Sequence, residues 1–207
     1  MTNQLLARFE LLNQLSSVAR YSRDHVHRRE SVLEHIGFCA LYALTLCNRI
    51  AALDRKELLV RAVMHDVDEA VMGDAPRTTK YASKELAEAF KVAERKAVMK
   101  LSEKIGSLSF NDWEKAKDET LEGQAMKLID FAAVVQKAWS EICLFGNFSF
   151  RRVLLELHKA LLEICFSEKY KYHPLIGQEF MELERLVQRM VNGSSDEMRF
   201  DLFGEAK

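Results

Sequence analysis

Proline is almost missing from this chain: only Pro76 and Pro174 occur, and just eight glycines accompany them. Gly73, Gly106, Gly123, Gly146 and Gly193 fall at the edges of helix-like segments, where breaks belong. No segment alternates apolar and polar residues as a strand would, and there are no repeats or low-complexity stretches. No apolar run approaches the roughly 18 residues of a membrane span. A charge of one sign is also lacking. Thirty basic residues face thirty-one acidic ones, for a net charge of −1, which disfavours gross electrostatic binding to nucleic acid or anionic membrane. The four cysteines, Cys39, Cys47, Cys143 and Cys165, show no CxxC spacing, which excludes a thiolate zinc finger and reads as buried thiols in a reducing cytosol. The opening MTNQLLARFELL lacks a charged n-region and cleavage site, so no secretory leader is expected. The expectation is a soluble, cytoplasmic protein without a membrane partner.

What the chain has is helical periodicity. With 48% hydrophobic and 29% charged residues over 207 positions, it can bury one sizeable core. Leu33, Ile36, Ala40, Ala43 and Leu44 recur at helical spacing after Ser31, as do Ile176, Phe180, Leu183, Val187 and Met190 near the end. The pattern predicts an all-α bundle of six to eight helices, at about 5–19, 31–50, 55–72, 83–105, 112–121, 123–145, 149–167 and 174–192. Residues 1–193 are read as one domain and 194–207 as a loose tail.

Two stretches do not read as helix: Arg20 to Arg29 (RYSRDHVHRR) and Gly73 to Tyr81 (GDAPRTTKY). Both are expected to open onto one space beside Val63-Met-His65-Asp66-Val-Asp-Glu69. Adjacent His65 and Asp66 offer a cation an imidazole nitrogen and a carboxylate oxygen. On a continuous helix Glu69 shares their face. His35 sits in an apolar helix (SVLEHIGFCALYAL) and Asp130 in another (MKLIDFAAVV). An ionised carboxylate among apolar neighbours is costly to bury without a cation or strong partner. One divalent cation accounts for all four residues, and the mixed imidazole and carboxylate set suits Mn, Fe, Co, Ni or Zn better than Ca. Arg20 can fork onto phosphate oxygens, Lys80 adds a point charge, and Asp74 brings a carboxylate just past Gly73.

These residues resemble the HD-domain phosphohydrolase superfamily, and within it the bacterial 5′-deoxynucleotidase family. The resemblance rests on Arg20 followed by an aromatic, Glu34-His35 fifteen residues on, the MHDVDEAVMGDAPRTTKY segment, and LIDFAA with Asp130. It implies His35, His65, Asp66 and Asp130 as ligands to one divalent transition metal, and it allows a second ion, Mg, on the phosphates. Glu69 and Asp74 match the catalytic carboxylates. Arg20 matches the phosphate-orienting arginine, and Asp74, Ala75, Pro76 and Arg77 a substrate-contacting loop that ends at Lys80. Tyr21 stands where the family usually has Trp, against the sugar.

The resemblance implies a metal-dependent enzyme acting on the 5′-phosphate end of nucleotides, and a homodimer. A 5′-deoxynucleotidase releasing the deoxynucleoside is one reading. A deoxynucleoside triphosphate triphosphohydrolase, like related phage enzymes, is the other, and a non-catalytic nucleotide-binding regulator is a third. The C-terminal segment carries more apolar positions than one packing face needs, which points to a partner surface. The basic loop, through Arg28 and Arg29, suggests tolerance of further phosphates, and the pair His25 and His27 offers substrate contacts.

Overall fold

In the computed structural model, residues 2–106, 108–166 and 171–192 are described, and the expected tail at 194–207 lies outside them. Ten α-helices follow in order among the described residues: α1 (Thr2–Ser17), α2 (Val32–Arg49), α3 (Arg55–Met64), α4 (Glu69–Met72), α5 (Arg77–Lys80), α6 (Lys84–Ile105), α7 (Phe110–Glu114), α8 (Leu121–Trp139), α9 (Arg151–Phe166) and α10 (Pro174–Val191). A π-helical turn at Ser140–Leu144 and a 3-10 turn at Phe148–Phe150 lead from α8 into α9. The described residues hold no strand, only one antiparallel bridge between Ala19 and Ser31. The all-α class stands. None of the described helices is long and apolar enough to cross a membrane.

Helix starts follow local chemistry. Ser31 and Glu34 form a capping box, the serine hydroxyl accepting from Glu34 N–H and the glutamate accepting from Ser31 N–H at 2.7 Å. His35 is the next residue, so the box sets where its ring leaves the backbone. Asp54 caps α3 by accepting from Glu57 N–H at 2.9 Å.

Several boundaries differ from the sequence reading. The expected 55–72 helix breaks after Met64, and residues 65–68 form a tight turn before α4. Neighbours on an ideal helix point about 100° apart, so a tighter turn is what lets His65 and Asp66 aim at one point. The first helix, expected at about 5–19, runs over Thr2–Ser17, and Ala19 pairs with Ser31 instead. The Gly73–Tyr81 loop contains α5, the expected 112–121 helix is reduced to α7, and the expected 123–145 helix yields to the π-helical turn.

The chain forms two compact units, one of residues 1–23 and 29–129, the other of 24–28 and 130–207. In the first, Val32, Ile36, Cys39, Ala43, Leu58 and Ala62 are buried, with α2 against α3. In the second, α10 packs on α9, burying Ile176, Phe180, Leu183, Val187 and Met190. Of the apolar positions expected to form a partner surface, these five face their own unit, while Leu175 stays 40% exposed and Leu186 and Val191 are part-buried. Cys39 and Cys143 are buried as expected, whereas Cys47 and Cys165 are part-exposed.

A buried carboxylate organises the second unit. Glu141, fully buried, accepts from the backbone N–H groups of His27 (2.9 Å) and Arg28 (3.2 Å), from Lys137 (2.8 Å) and from Asn147 (2.7 Å). Burial alone would raise its pKa, but the Asn147, Lys137 and backbone bonds outweigh it and bring the carboxyl down to about 2. A depressed folded-state pKa stabilises above the unfolded value near 4.5, and that contribution is lost as pH falls toward about 2. Glu141→Gln should therefore lower the melting temperature at neutral pH, with the gap to wild type closing below about pH 4. Parallel melting curves for the two proteins across that range would contradict this account.

Candidate metal centre and active site

The first unit brings three of the expected ligands into contact. His35 Nε2 and His65 Nε2 lie 3.1 Å apart, and Asp66 Oδ2 is 3.2 Å from the first and 3.1 Å from the second. Ligand atoms sharing one cation at about 2.0–2.1 Å stand ~3.0 Å apart at a right angle and ~3.4 Å apart at the tetrahedral angle. The triangle has the size of one face of a coordination sphere. His65 Nδ1 points at the Ala62 carbonyl, 2.9 Å away, which leaves its Nε2 lone pair for the site. Behind the other ring, Glu30 Oε1 is 3.9 Å from His35 Nδ1. Both histidine side chains are fully buried and that of Asp66 nearly so, at 15% exposure.

Protons mark where positive charge belongs. Burial opposes a charged His65, but Asp66 outweighs it and pushes the ring up to about 9. Burial would raise Asp66, yet His65, Lys117 and the His35 hydrogen bond hold it well below the usual carboxylate range. Glu69, at the start of α4, is pushed up to about 9 by burial and then by Asp66 and Asp74, with Arg20 partly offsetting. Its Oε2 is buried with no hydrogen-bond partner among the described residues. Orphaned buried carboxylate oxygens are rare without an ion or water to satisfy them. The donor set, its spacing and this oxygen all fit a divalent cation.

The loops meet here as expected. Gly73 adopts φ 74°, ψ 165°, a region essentially closed to other residues, and so turns Asp74 back. Asp74 Oδ2 accepts from Tyr21 N–H at 3.3 Å, and Arg23 donates to Thr79 Oγ1 at 3.1 Å. Burial raises the Asp74 pKa, with Arg20 and the Tyr21 N–H partly offsetting. Tyr21 itself has φ 57°, a left-handed conformation uncommon for an aromatic residue. The Arg20 guanidinium sits over its ring and pairs with Glu30 at 3.0 Å. Ala75 and Pro76 are part-buried, and Arg77 opens α5.

A cavity of about 470 Å³ adjoins the triangle, lined in part by His65, Asp66, Lys80, Lys91, Arg95 and Lys117. Lys80 pairs with Glu94, and Lys117 Nζ stands 3.9 Å from Asp66 Oδ1. The turn carrying Lys117 is pinned by buried Arg61, which donates to Asp118 at 2.7 Å and to the Lys115 carbonyl. Trp113 Nε1 donates to Asp68 at 2.8 Å on another wall. Sequence reasoning missed Glu30, Arg61, Asp68, Trp113 and Lys117. For the four charged ones the one signal was charge within otherwise patterned segments, which does not say what the charge faces, and Trp113 reads as one more apolar position. Asp130 lies on α8, in the second unit, half-buried. His25 and His27 also fall in that unit, ring edge to ring face at 5.5 Å.

Residues 8–188 match the YfbR-like 5′-deoxynucleotidase family. The chain belongs to that family. As a YfbR-like protein it is a phosphohydrolase, acting on phosphate esters. No curated protein sequence matches it. Its fold is similar to that of the PH0347 protein of Pyrococcus horikoshii OT3, with TM-score 0.66 and 20% identity over 90% of this chain and 99% of that one. An HD-domain phosphohydrolase from Listeria innocua shares it at TM-score 0.63 and 22% identity, over 91% and 86%. So does the cyanophage S-2L HD phosphohydrolase DatZ, solved with dA and one catalytic Zn2+ ion, at TM-score 0.60 and 17% identity, over 87% and 96%.

Proposed function

We propose that this YfbR-like protein is a 5′-deoxynucleotidase, releasing deoxynucleoside and phosphate from deoxynucleoside 5′-monophosphates. The observation that carries the reading is the triangle of His35, His65 and Asp66 beside the unsatisfied Glu69 oxygen. Those three residues would hold the metal, with Asp130 as the fourth ligand. For Asp130, the support is its motif and its place between Leu128-Ile129 and Phe131-Ala132, where a carboxylate needs a cation or another polar partner. When bound, the divalent ion supplies Lewis-acid polarisation of a phosphoryl oxygen and lowers the pKa of water. The metal is one of Co, Mn, Zn, Fe or Ni, with Mg as a second ion on the phosphates.

The positive charge of a cation held beside Asp66 would bring the Glu69 pKa down from about 9, so that Glu69 Oε2 can take a proton from the attacking water, and Asp74, whose pKa burial raises, returns one to the leaving 5′-oxygen. Arg20 holds the phosphate. With five donors it can serve Glu30 and a phosphate together. Tyr21, beneath Arg20, lies against the sugar, and Asp74 to Arg77 and Lys80 complete the substrate wall.

A second reading, a deoxynucleoside triphosphate triphosphohydrolase, draws on the cavity's Lys80, Lys91, Arg95 and Lys117, which could meet further phosphates, although they stand among six carboxylates and Lys80 pairs with Glu94 and Arg95 with Glu114. Product chromatography on deoxynucleoside mono-, di- and triphosphates separates the two. Phosphate with free deoxynucleoside from monophosphates alone supports the nucleotidase, and intact triphosphate from triphosphates supports the alternative. Turnover of neither would overturn both.

A homodimer belongs to the same proposal. Its support now comes from α1, where Leu5, Leu6, Phe9 and Leu12 are each about half exposed, at 49–58%. Sedimentation as one species of 23.9 kDa at micromolar concentration would remove it.

A further inference from the structure

Lys117 is more than a piece of cavity wall. Asp66 uses its two oxygens differently: Oδ2 lies against both histidine nitrogens, and Oδ1 faces Lys117 Nζ at 3.9 Å. The lysine lines the cavity of about 470 Å³ together with His65 and Glu69, and its side chain is 35% exposed, open enough to meet a solute there. A lysine on its flexible stem can balance a carboxylate from many backbone positions. The turn that carries this one is fixed instead. Asp118 N–H donates to the Lys115 carbonyl at 3.2 Å, closing the turn around Lys117. Arg61, only 4% exposed, donates to that same carbonyl and to Asp118, and so grips the chain on both sides of Lys117. Thr120 N–H donates to Asp118 Oδ1 at 3.0 Å. Gly123 lets the turn pack down, since a Cβ there would lie 2.4 Å from the Asp118 carbonyl oxygen.

We propose that Lys117 is a phosphate-binding residue, its ammonium meeting one oxygen of a phosphate monoester whose other oxygens face the cation held by His35, His65 and Asp66. The inference rests on the reading of that triangle as the metal centre of a phosphohydrolase. With the site loaded, the charge of Asp66 is drawn to the cation, and the ammonium stands near a second positive centre. A dianionic phosphoryl group seated between the two attracts both and has oxygens enough for both. Lys117 thereby holds the substrate in place and offsets charge that develops on those oxygens. A lysine that only balanced Asp66 would act on metal affinity and not on phosphate.

Titration of inorganic phosphate into the Zn-loaded, full-length protein, read by calorimetry beside kcat and KM on a deoxynucleoside 5′-monophosphate, tests this. Lys117→Gln should keep one Zn per chain and bind phosphate roughly 10- to 100-fold more weakly, the scale of a hydrogen bond between charged groups. Its kcat/KM should fall by at least as much. Lys117→Arg, which keeps the charge, should recover part of the phosphate affinity. Melting curves establish that both variants fold. Wild-type phosphate affinity and kcat/KM in Lys117→Gln would overturn the proposal. So would a variant whose only loss is Zn, since Lys117 would then serve Asp66 alone. A wild type that turns over no deoxynucleotide would overturn the reading beneath, whereas turnover left intact in Lys117→Gln overturns the role of Lys117 by itself.

Discussion

Glu69→Gln should retain one metal per chain and lose ~10²- to 10⁴-fold in turnover, the range for removing a general acid–base group. The expectation follows from placement. Glu69 opens α4 beyond the turn that carries His65 and Asp66, and its Oε2 is buried without a partner among the described residues. It stands outside the contacts that join His35, His65 and Asp66. Glutamine keeps the volume and removes the basic oxygen, so the metal should stay while proton transfer fails. Metal analysis with turnover at saturating substrate reads both halves. A variant within about threefold of wild type would remove Glu69 from the chemistry, and a variant stripped of metal would move it into the coordination sphere.

Asp66→Asn should act at the earlier step, by abolishing metal uptake. Asp66 Oδ2 is the anionic corner of the triangle, and its Oδ1 faces Lys117. Without that charge, two imidazole nitrogens 3.1 Å apart must hold a dication with one carboxylate fewer. In wild type, metal at 100 times its dissociation constant stabilises by about 2.7 kcal/mol. For a chain of this size that is a rise of about 5 to 10 °C in melting temperature. Asp66→Asn should lose the rise and the turnover together. Retention of both would show that the cation, if any, sits elsewhere.

The helices were legible because their signals are local. The spacing of Leu33, Ile36, Ala40 and Ala43 and the cap at Ser31 act within a few residues of each other, and α2 runs where they place it. The motif likewise named His35, His65 and Asp66, which the fold brings into contact. What was illegible depends on partners distant in sequence. The break after Met64 exists so that adjacent side chains can converge, which no propensity encodes. Arg61 carries no local signal, because its partners are 54 and 57 residues away. Glu141 reaches back 113 and 114 residues to the basic loop, where the sequence pointed to phosphate contacts. Cys39 read as core by composition, and burial agrees. Only the side chains across from it show that its sulfur meets imidazole.

The proposed activity is metal-dependent release of phosphate from deoxynucleoside 5′-monophosphates through that triangle. Phosphate release from a deoxynucleoside 5′-monophosphate, followed on protein stripped by chelator and then restored with Zn, Co or Mn, tests it most directly. The account predicts no release when stripped and recovery on adding back about one equivalent of ion, with Asp66→Asn inert throughout. Release that persists at full rate in the stripped protein, or that returns equally in Asp66→Asn, would contradict it.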